Sequence, residues 1–416
     1  MTDHLLSYPS LSVRGARLPL FGLLAGLSAC TGSPPPPADA ITIGLLLPFT
    51  GATSATANNF ERATLYAADR INAHGGIKGR PIRIFSRDTQ SDLDHSRQAT
   101  AEIIAEGAVA VIGPESSEIA AGIAPMLADA HVAFISPLVG AANDTVIDCS
   151  RAWFRLAPSA RALGESLAKL VYTENLRSTA VLFAAGAYNQ ALSDAVASRI
   201  TSLGGKAALV LELDPAAQSY SDAVRQTVAA NVDSIVLATS PRTGAHVVNE
   251  FEVTSGRAQR WFLSPLLKTD LLVKNVVPGA LQNALGVAPK IYDTTPAFPT
   301  AFDQSWAGDQ PLEGAYFYYD AMILLSFALE KSTTSSTTAI DANALQAAIP
   351  AAAAPPGVAA GWNEVENSMD LLGAGSNIYY SGLTGPLLLE SCGSRQIGVT
   401  STWQVQDDST IATRPE

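Results

Sequence analysis

The chain has 416 residues, 47% apolar and 15% charged, enough for a large buried core and long enough for two domains rather than one. Its formal charge of −12 argues against nucleic acid or an anionic membrane surface as a partner. The histidines (His4, His74, His95, His131 and His246) are scattered, with no pair at metal-ligand spacing, so neither a zinc or haem centre nor any other cofactor is expected.

In chain order, Arg14 and Arg17 precede an apolar run from Leu18 to Leu27 that is too short to cross a bilayer, and small residues follow. The segment Leu27-Ser28-Ala29-Cys30 looks like a bacterial lipobox. That likeness implies a lipoprotein signal peptide over 1–29, cleavage before Cys30, and diacylglycerol on its sulfur. Residues 30–40 then form a Pro-rich tether. The expected location is the outer side of the cytoplasmic barrier, lipid-anchored to a membrane. With Cys30 consumed, Cys149 and Cys392 remain as an even pair in a compartment that permits disulfides. A bond closing a very long loop and a pair of buried thiols both stay open.

After the tether, short apolar runs alternate with segments of helical period. Ile41–Leu47 reads as a buried strand. Phe60, Ala63, Ala67 and Ile71 then mark an amphipathic helix stopped by Gly75-Gly76. A strand around Ile82 and Ile84 leads to a helix over Ser96–Glu106, a strand over Ala108–Ile112, a helix over Ile119–Ala128 and a strand over Val132–Ile135. The pattern restarts with strands over Thr179–Phe183, Ala207–Leu213, Ser234–Ala238 and Trp261–Leu263. Helices over Gln190–Leu203, Asp222–Ala230 and Gly244–Ser255 separate them. A helix over Gly314–Lys331 follows, then loops at 332–338 and 350–360. Strands alternating with helices predict βαβ units, and two such series predict two doubly wound parallel-sheet lobes. Ligands of such sheets sit at the carboxyl ends of the strands.

The stretch Asp69-Arg70-Ile71-Asn72-Ala73-His74-Gly75-Gly76-Ile77-Lys78-Gly79-Arg80-Pro81 resembles the leucine/isoleucine/valine-binding proteins, the type I periplasmic binding proteins that feed ABC importers. Further pieces follow in that family's order: Pro48-Phe49-Thr50-Gly51, Asp88, Ile112-Gly113-Pro114 with Ser116-Ser117, Ile135-Ser136-Pro137, Phe154-Arg155-Leu156, Tyr319-Asp320-Ala321 and Gly382-Leu383-Thr384-Gly385-Pro386. The resemblance covers nearly all of the chain after residue 40. It implies an α/β fold of two lobes joined by a three-strand hinge, with crossings near 156, 288 and 384. Lobe one would be 41–156 plus 289–383, and lobe two 157–288 plus 384–416.

Ser117 falls at the serine with which the family helps hold a ligand carboxylate. It also sits where a strand ends and a helix begins, where free amides favour an anion; an ordinary helix cap reads the same way. Gly140 stands where the family has a threonine, leaving only a backbone N–H. Tyr188 matches a tyrosine at the cleft face of lobe two. Thr56, Ser116, Leu138 and Ser240 complete the expected ligand-binding set. The acidic partners of the amino group are missing: Ser264-Pro265-Leu266-Leu267 replaces one, and Pro158-Ser159-Ala160-Arg161-Ala162 the others. An ammonium buried without a counter-charge is costly, so the expected ligand leans toward a carboxylate or amide without an amine. Arg161 and Arg242 are the candidate cations for such a ligand.

No enzyme is expected. Ser166-Leu167-Ala168-Lys169 lacks the companion elements of penicillin-recognising enzymes, and no nucleophile elbow, phosphate loop or His-Glu-x-x-His occurs. The reading is a monomeric solute receptor partnered by an ABC permease and ATPase. Its alternative is a lipoprotein that uses the fold as a sensor or regulator of a cell-envelope partner.

Overall fold

A computed structural model describes residues 39–140, 153–255, 259–337, 339–389, 393–395 and 399–414. The signal segment with Cys30, and Cys149 and Cys392, lie outside the described residues.

The first series runs β1 (Ile41–Leu47), α1 (Ala57–Ala73), β2 (Ile82–Asp88), α2 (Leu93–Ala105), β3 (Ala110–Ile112), α3 (Ser117–Asp129), β4 (Ala133–Ser136) and β5 (Trp153–Arg155). These strands pair in the order β2-β1-β3-β4-β5, all parallel. Strand alternation divides β1 between two cores. Ile41, Ile43, Leu45 and Leu47 point to the face covered by α1, while Leu46 points to the face covered by α2 and α3. Parallel strands covered on both faces read as unbroken apolar runs, which is why β1 was legible to the residue.

The second series is α4 (Ala160–Thr173), β6 (Ser178–Ala184), α5 (Ala187–Ser202), β7 (Lys206–Leu213), α6 (Ser221–Ala229), β8 (Ser234–Ala238), α7 (Pro241–Ser255), β9 (Trp261–Leu263), α8 (Asp270–Val273) and β10 (Leu285–Pro289). The chain then returns to the first side through α9 (Ala297–Ser305), α10 (Glu313–Ser332), α11 (Ala342–Ala353), β11 (Val358–Gly361), α12 (Val365–Gly373), β12 (Ile378–Gly382) and β13 (Gly385–Pro386). It ends in β14 (Thr400–Val405) and β15 (Ile411–Thr413). The second sheet has the order β15-β14-β10-β9-β8-β6-β7. It is not wholly parallel as expected: β14 runs antiparallel to β10, and β15 to β14. A short return from the last crossing can enter the sheet edge only in this sense, since a parallel entry needs a long crossover.

Helix α10 is apolar nearly all round, from Ala315 to Leu329, and is buried on nearly every side against α1, α11 and α12. Residues 350–360, expected as a loop, are partly regular. α11 runs to Ala353 because Ile349, Ala352 and Ala353 are buried in the same core, and Pro350 falls in its last turns. Residues 384–389 and 393–395 stay with the first side. Thr384 donates to Asp320, Gly385–Pro386 pairs with β12, and Ser394 bridges to Arg155, so the second sheet is joined at Thr400. Arg395 draws the passes together, donating to the carbonyls of Leu156 (3.1 Å) and Pro386 (3.1 Å). Tyr292 N–H donates to Leu383 O at 2.8 Å.

Candidate functional site

Between the carboxyl ends of the two sheets lies a cavity of about 500 Å³. The first side contributes Thr53, Phe60, Glu115, Ser116, Ser117 and Leu138, with Gly314 and Phe317 from α10. The second contributes Leu163, Tyr188, Asn189, Pro265, Leu266 and Lys268. A wider groove of about 880 Å³ runs along α4 and α5. It is walled by polar helix surface, and Arg161 there is paired with Glu165 at 3.2 Å. The smaller cavity has the apolar walls and few convergent polar groups of a solute site.

Its polar end is built by one turn. After β3, Gly113 has φ +91°, and a Cβ there would lie 2.2 Å from Leu46 O, so only glycine lets the chain bend this close to β1. The bend carries Glu115, Ser116 and Ser117 to the cavity. Helix α3 starts at Ser117 rather than near Ile119, and its cap is Ser116, whose Oγ accepts from Ile119 N at 3.4 Å. Ser117 is therefore the first helical residue, and the amides of this first turn form the positive end of the helix dipole.

The apolar body is assembled from distant segments. Phe60 stacks on Tyr318 at 4.9 Å between centroids. Gly314 makes room for it: a Cβ there would stand 2.4 Å from Phe60 Cε1 and 3.0 Å from Leu138 Cδ1. Opposite, Tyr188 is half-buried at the start of α5, and burial pushes its phenol pKa up, leaving a neutral hydroxyl. Lys268, 13% exposed, reaches from the second side to the Glu313 carboxylate at the head of α10 and bridges the cavity mouth.

Glu115 was not anticipated as a site residue. Its Oε1 accepts from Thr53 Oγ1 at 3.0 Å, while Oε2 is buried and among the described residues has no hydrogen-bond partner. Desolvation pushes its carboxyl pKa up, against smaller opposing hydrogen bonds. The expectation that an amine would find no counter-charge is thereby corrected: Glu115, Glu118 and Glu313 all line the cavity. The acids come from the first side and from α10, at positions that the family motifs skip.

Of the expected residues, the structure brings Ser116, Ser117, Leu138 and Tyr188 into the wall. Thr56 ends a single turn before α1, and it is Thr53 that reaches the cavity. Gly140 lies beside it in the α4 groove; its carbonyl accepts from Ala160 N at 2.8 Å, and a Cβ would stand 3.1 Å from Tyr188. Ser240 is exposed and caps α7 through Thr243 N at 3.3 Å, outside this wall. Arg242 lines a separate surface groove beside His246. Thr53, Phe60, Phe317 and Lys268 were unread because each belongs to an otherwise ordinary loop or core helix face.

The sequence matches the profile of a family described as periplasmic binding proteins over residues 40–376. It is 30% identical over 105 residues to a Leu/Ile/Val-binding protein of Rhizobium johnstonii, covering 25% of this chain and 29% of that one. It is 26% identical over 219 residues to a chemotactic signal transduction system substrate-binding protein of Halobacterium salinarum, covering 50% and 52%. The chain thus spans between 29% and 52% of the length of these curated relatives. A crystal structure of a leucine-binding protein from Thermotoga maritima superposes with a TM-score of 0.73 at 17% identity, over 90% of this chain and 98% of that one. At that identity the likeness is one of fold: two α/β lobes of the type I arrangement.

Proposed function

The chain belongs to the periplasmic binding protein family, and we propose that it is an extracytoplasmic solute receptor of a branched-chain-amino-acid-type ABC importer, anchored by lipid on Cys30. The observation that carries this reading is the cavity of about 500 Å³ between the two sheets, apolar in its body and polar at the head of α3. Its volume falls in the range of about 300–1,000 Å³ usual for small-molecule sites.

In this reading residues 41–156 with 289–383 form lobe one, and 157–288 with the C-terminal strands form lobe two. Closure turns about the passes tied by Arg395. Ser117 and the first turn of α3 take a carboxylate or amide oxygen, while Phe60, Leu138, Leu163 and Tyr188 enclose the carbon skeleton. The protein performs no chemistry on the solute and acts as a monomer that hands it to the permease.

A thermal-shift screen with amino acids, aliphatic and aromatic carboxylates, amides and amines tests this. A ligand at a hundredfold excess over its Kd stabilises the folded protein by about 2.7 kcal/mol. A rise in Tm with one chemical class, reduced in Ser117→Ala, is the expected result. No rise with any class, in protein stripped of bound ligand, refutes the receptor reading. A second reading, a sensor that passes occupancy to an envelope partner, draws on the Halobacterium relative named for chemotactic signalling. It predicts the same binding but a partner protein that is not a permease.

A further inference from the structure

We propose that Glu115 is the specificity residue of the cleft and accepts a cationic nitrogen, an ammonium or protonated amine, carried by an otherwise apolar solute. The inference rests on the receptor reading of the cavity and specifies the chemistry its ligand must carry.

The first ground is how this chain treats its other buried carboxylates. Asp320 accepts from Tyr380 Oη, Leu383 N, Thr384 N and Thr384 Oγ1 at 2.7–3.0 Å. Glu330 is held by Lys78 Nζ at 2.7 Å and by Lys78 N at 3.0 Å. Even the only half-buried Glu366 receives both Arg70 Nη2 contacts, at 2.7 and 2.8 Å. Each has a cation or a full set of donors, as burial of a charge requires. Glu115 has a single hydroxyl donor on Oε1 and, among the described residues, none on Oε2. Among the described residues no cation is left for it: Lys268, the one lysine or arginine of these that lines the cavity, is taken by Glu313. A ligand that brings a positively charged donor completes the set.

The second ground is the balance of charge and surface around that oxygen. Glu313 and Lys268 offset one another, but Glu118 adds negative charge to the same wall, so a solute anion at Glu115 would be repelled while a cation is attracted. Phe60, Phe317 and Tyr188 supply aromatic faces, which favour a cation over an anion. Tyr318, stacked behind Phe60, leaves its own hydroxyl buried and, among the described residues, without a hydrogen-bond partner, and it feels the Glu115 charge. The head of α3 lies next along the wall, where its positive end would favour a carboxylate on the same solute. A zwitterion would span both ends.

The test is isothermal titration of the full-length protein, wild type and Glu115→Gln, with leucine, 3-methylbutylamine and 4-methylpentanoate. Phenethylamine and 3-phenylpropanoate form an aromatic pair. Leucine and 4-methylpentanoate share skeleton and carboxylate and differ only in the cationic nitrogen, while each amine carries that nitrogen in place of the carboxylate of its acid partner. The amine-bearing probes should bind wild type more tightly than their amine-free partners. Glu115→Gln should weaken them by about tenfold to a hundredfold, the usual range for a hydrogen bond to a charged group. The amine-free acids should stay within about twofold of wild type. Unfolding of the variant by circular dichroism checks the fold, and the preference within wild type stands without any variant. An acid binding as tightly as its amine partner overturns the inference and leaves the receptor reading intact. So does an amine affinity unmoved in Glu115→Gln. Failure of every amine-bearing probe overturns it as well, and only failure of the wider thermal-shift panel removes the receptor reading.

Discussion

Asp320 offers the sharpest test of how this fold is held. It is fully buried on α10, and its two carboxylate oxygens accept from four donors: Tyr380 Oη (2.7 Å), Leu383 N (3.0 Å), Thr384 N (2.8 Å) and Thr384 Oγ1 (2.7 Å). Four donors and no acceptor call for the ionised carboxylate. Burial nonetheless pushes its pKa up, so the hydrogen bonds only partly offset desolvation. The half-buried Arg395 guanidinium is close enough to feel its charge. Asp320→Ala would leave four buried donors without an acceptor, each costing about 1–3 kcal/mol when considered alone. Relief of the carboxylate's own desolvation offsets part of that, and the net loss should be about 3–5 kcal/mol. With an unfolding entropy of about 2 cal/mol/K per residue, a protein of this size should lose about 4–6 °C in Tm. Asp320→Asn keeps the volume but turns an N–H₂ toward one pair of donors, and should cost about 2–3 kcal/mol. Tyr380→Phe removes one donor and should cost about 1 kcal/mol. Thermal and urea unfolding followed by circular dichroism measure all three. If both Asp320 variants fall within about 1 kcal/mol of wild type, the carboxylate is not the tie that joins α10 to the last pass of the chain.

Glu115 has a folded pKa raised above its ordinary value of 4.5, so the folded protein binds the proton more tightly than the unfolded chain. Its unfavourable contribution is therefore absent below the ordinary carboxyl range and develops as pH rises through the folded pKa. Glu115→Gln should accordingly raise Tm at pH 7 and leave it unchanged near pH 4; an equal gain at both would refute the assignment. Lys268→Met breaks the pair with Glu313, which is 48% exposed and hence worth only about 0.2–1 kcal/mol. Small-angle scattering should show a larger radius of gyration for unliganded Lys268→Met at low salt, and the difference from wild type should shrink in 1 M salt. Gly314→Ala places a Cβ 2.4 Å from Phe60 and should drive that ring into the cavity. Overpacking of this kind costs about 1–3 kcal/mol, and calorimetry should show bulky solutes losing more affinity than small ones.

Much of the scaffold was legible because its signals are local. β1, β8 and β9 match their apolar runs to the residue, since strands covered on both faces carry no polar alternation. α2 begins three residues before its expected start, at Leu93, because Asp92 turns its side chain onto His95 N at 2.9 Å. That cap lies outside the apolar period and so escaped a reading based on it. The stretch over 350–360 misled in the opposite way. Its alanines and proline read as irregular, yet burial against α10 holds the last turn of α11. Tertiary contact overrode propensity there.

The site divides along the same line. The segment carrying Ser116 and Ser117 is contiguous, and the glycine turn and helix start that present it are encoded within a few residues. Sequence by itself therefore determined two doubly wound series, the order of their strands and helices, and the polar end at α3. It could not determine which side chains stand across from that end. Glu115 reads as one more residue of a turn, Phe60 as one more apolar position of α1, and Glu313 and Lys268 as surface charges. Only the return of the chain through α10 and the meeting of the two sheets set them around one cavity. A carboxylate's chemistry depends on what surrounds it, and for Glu115 those surroundings come from Thr53 and Tyr318, far away in the chain.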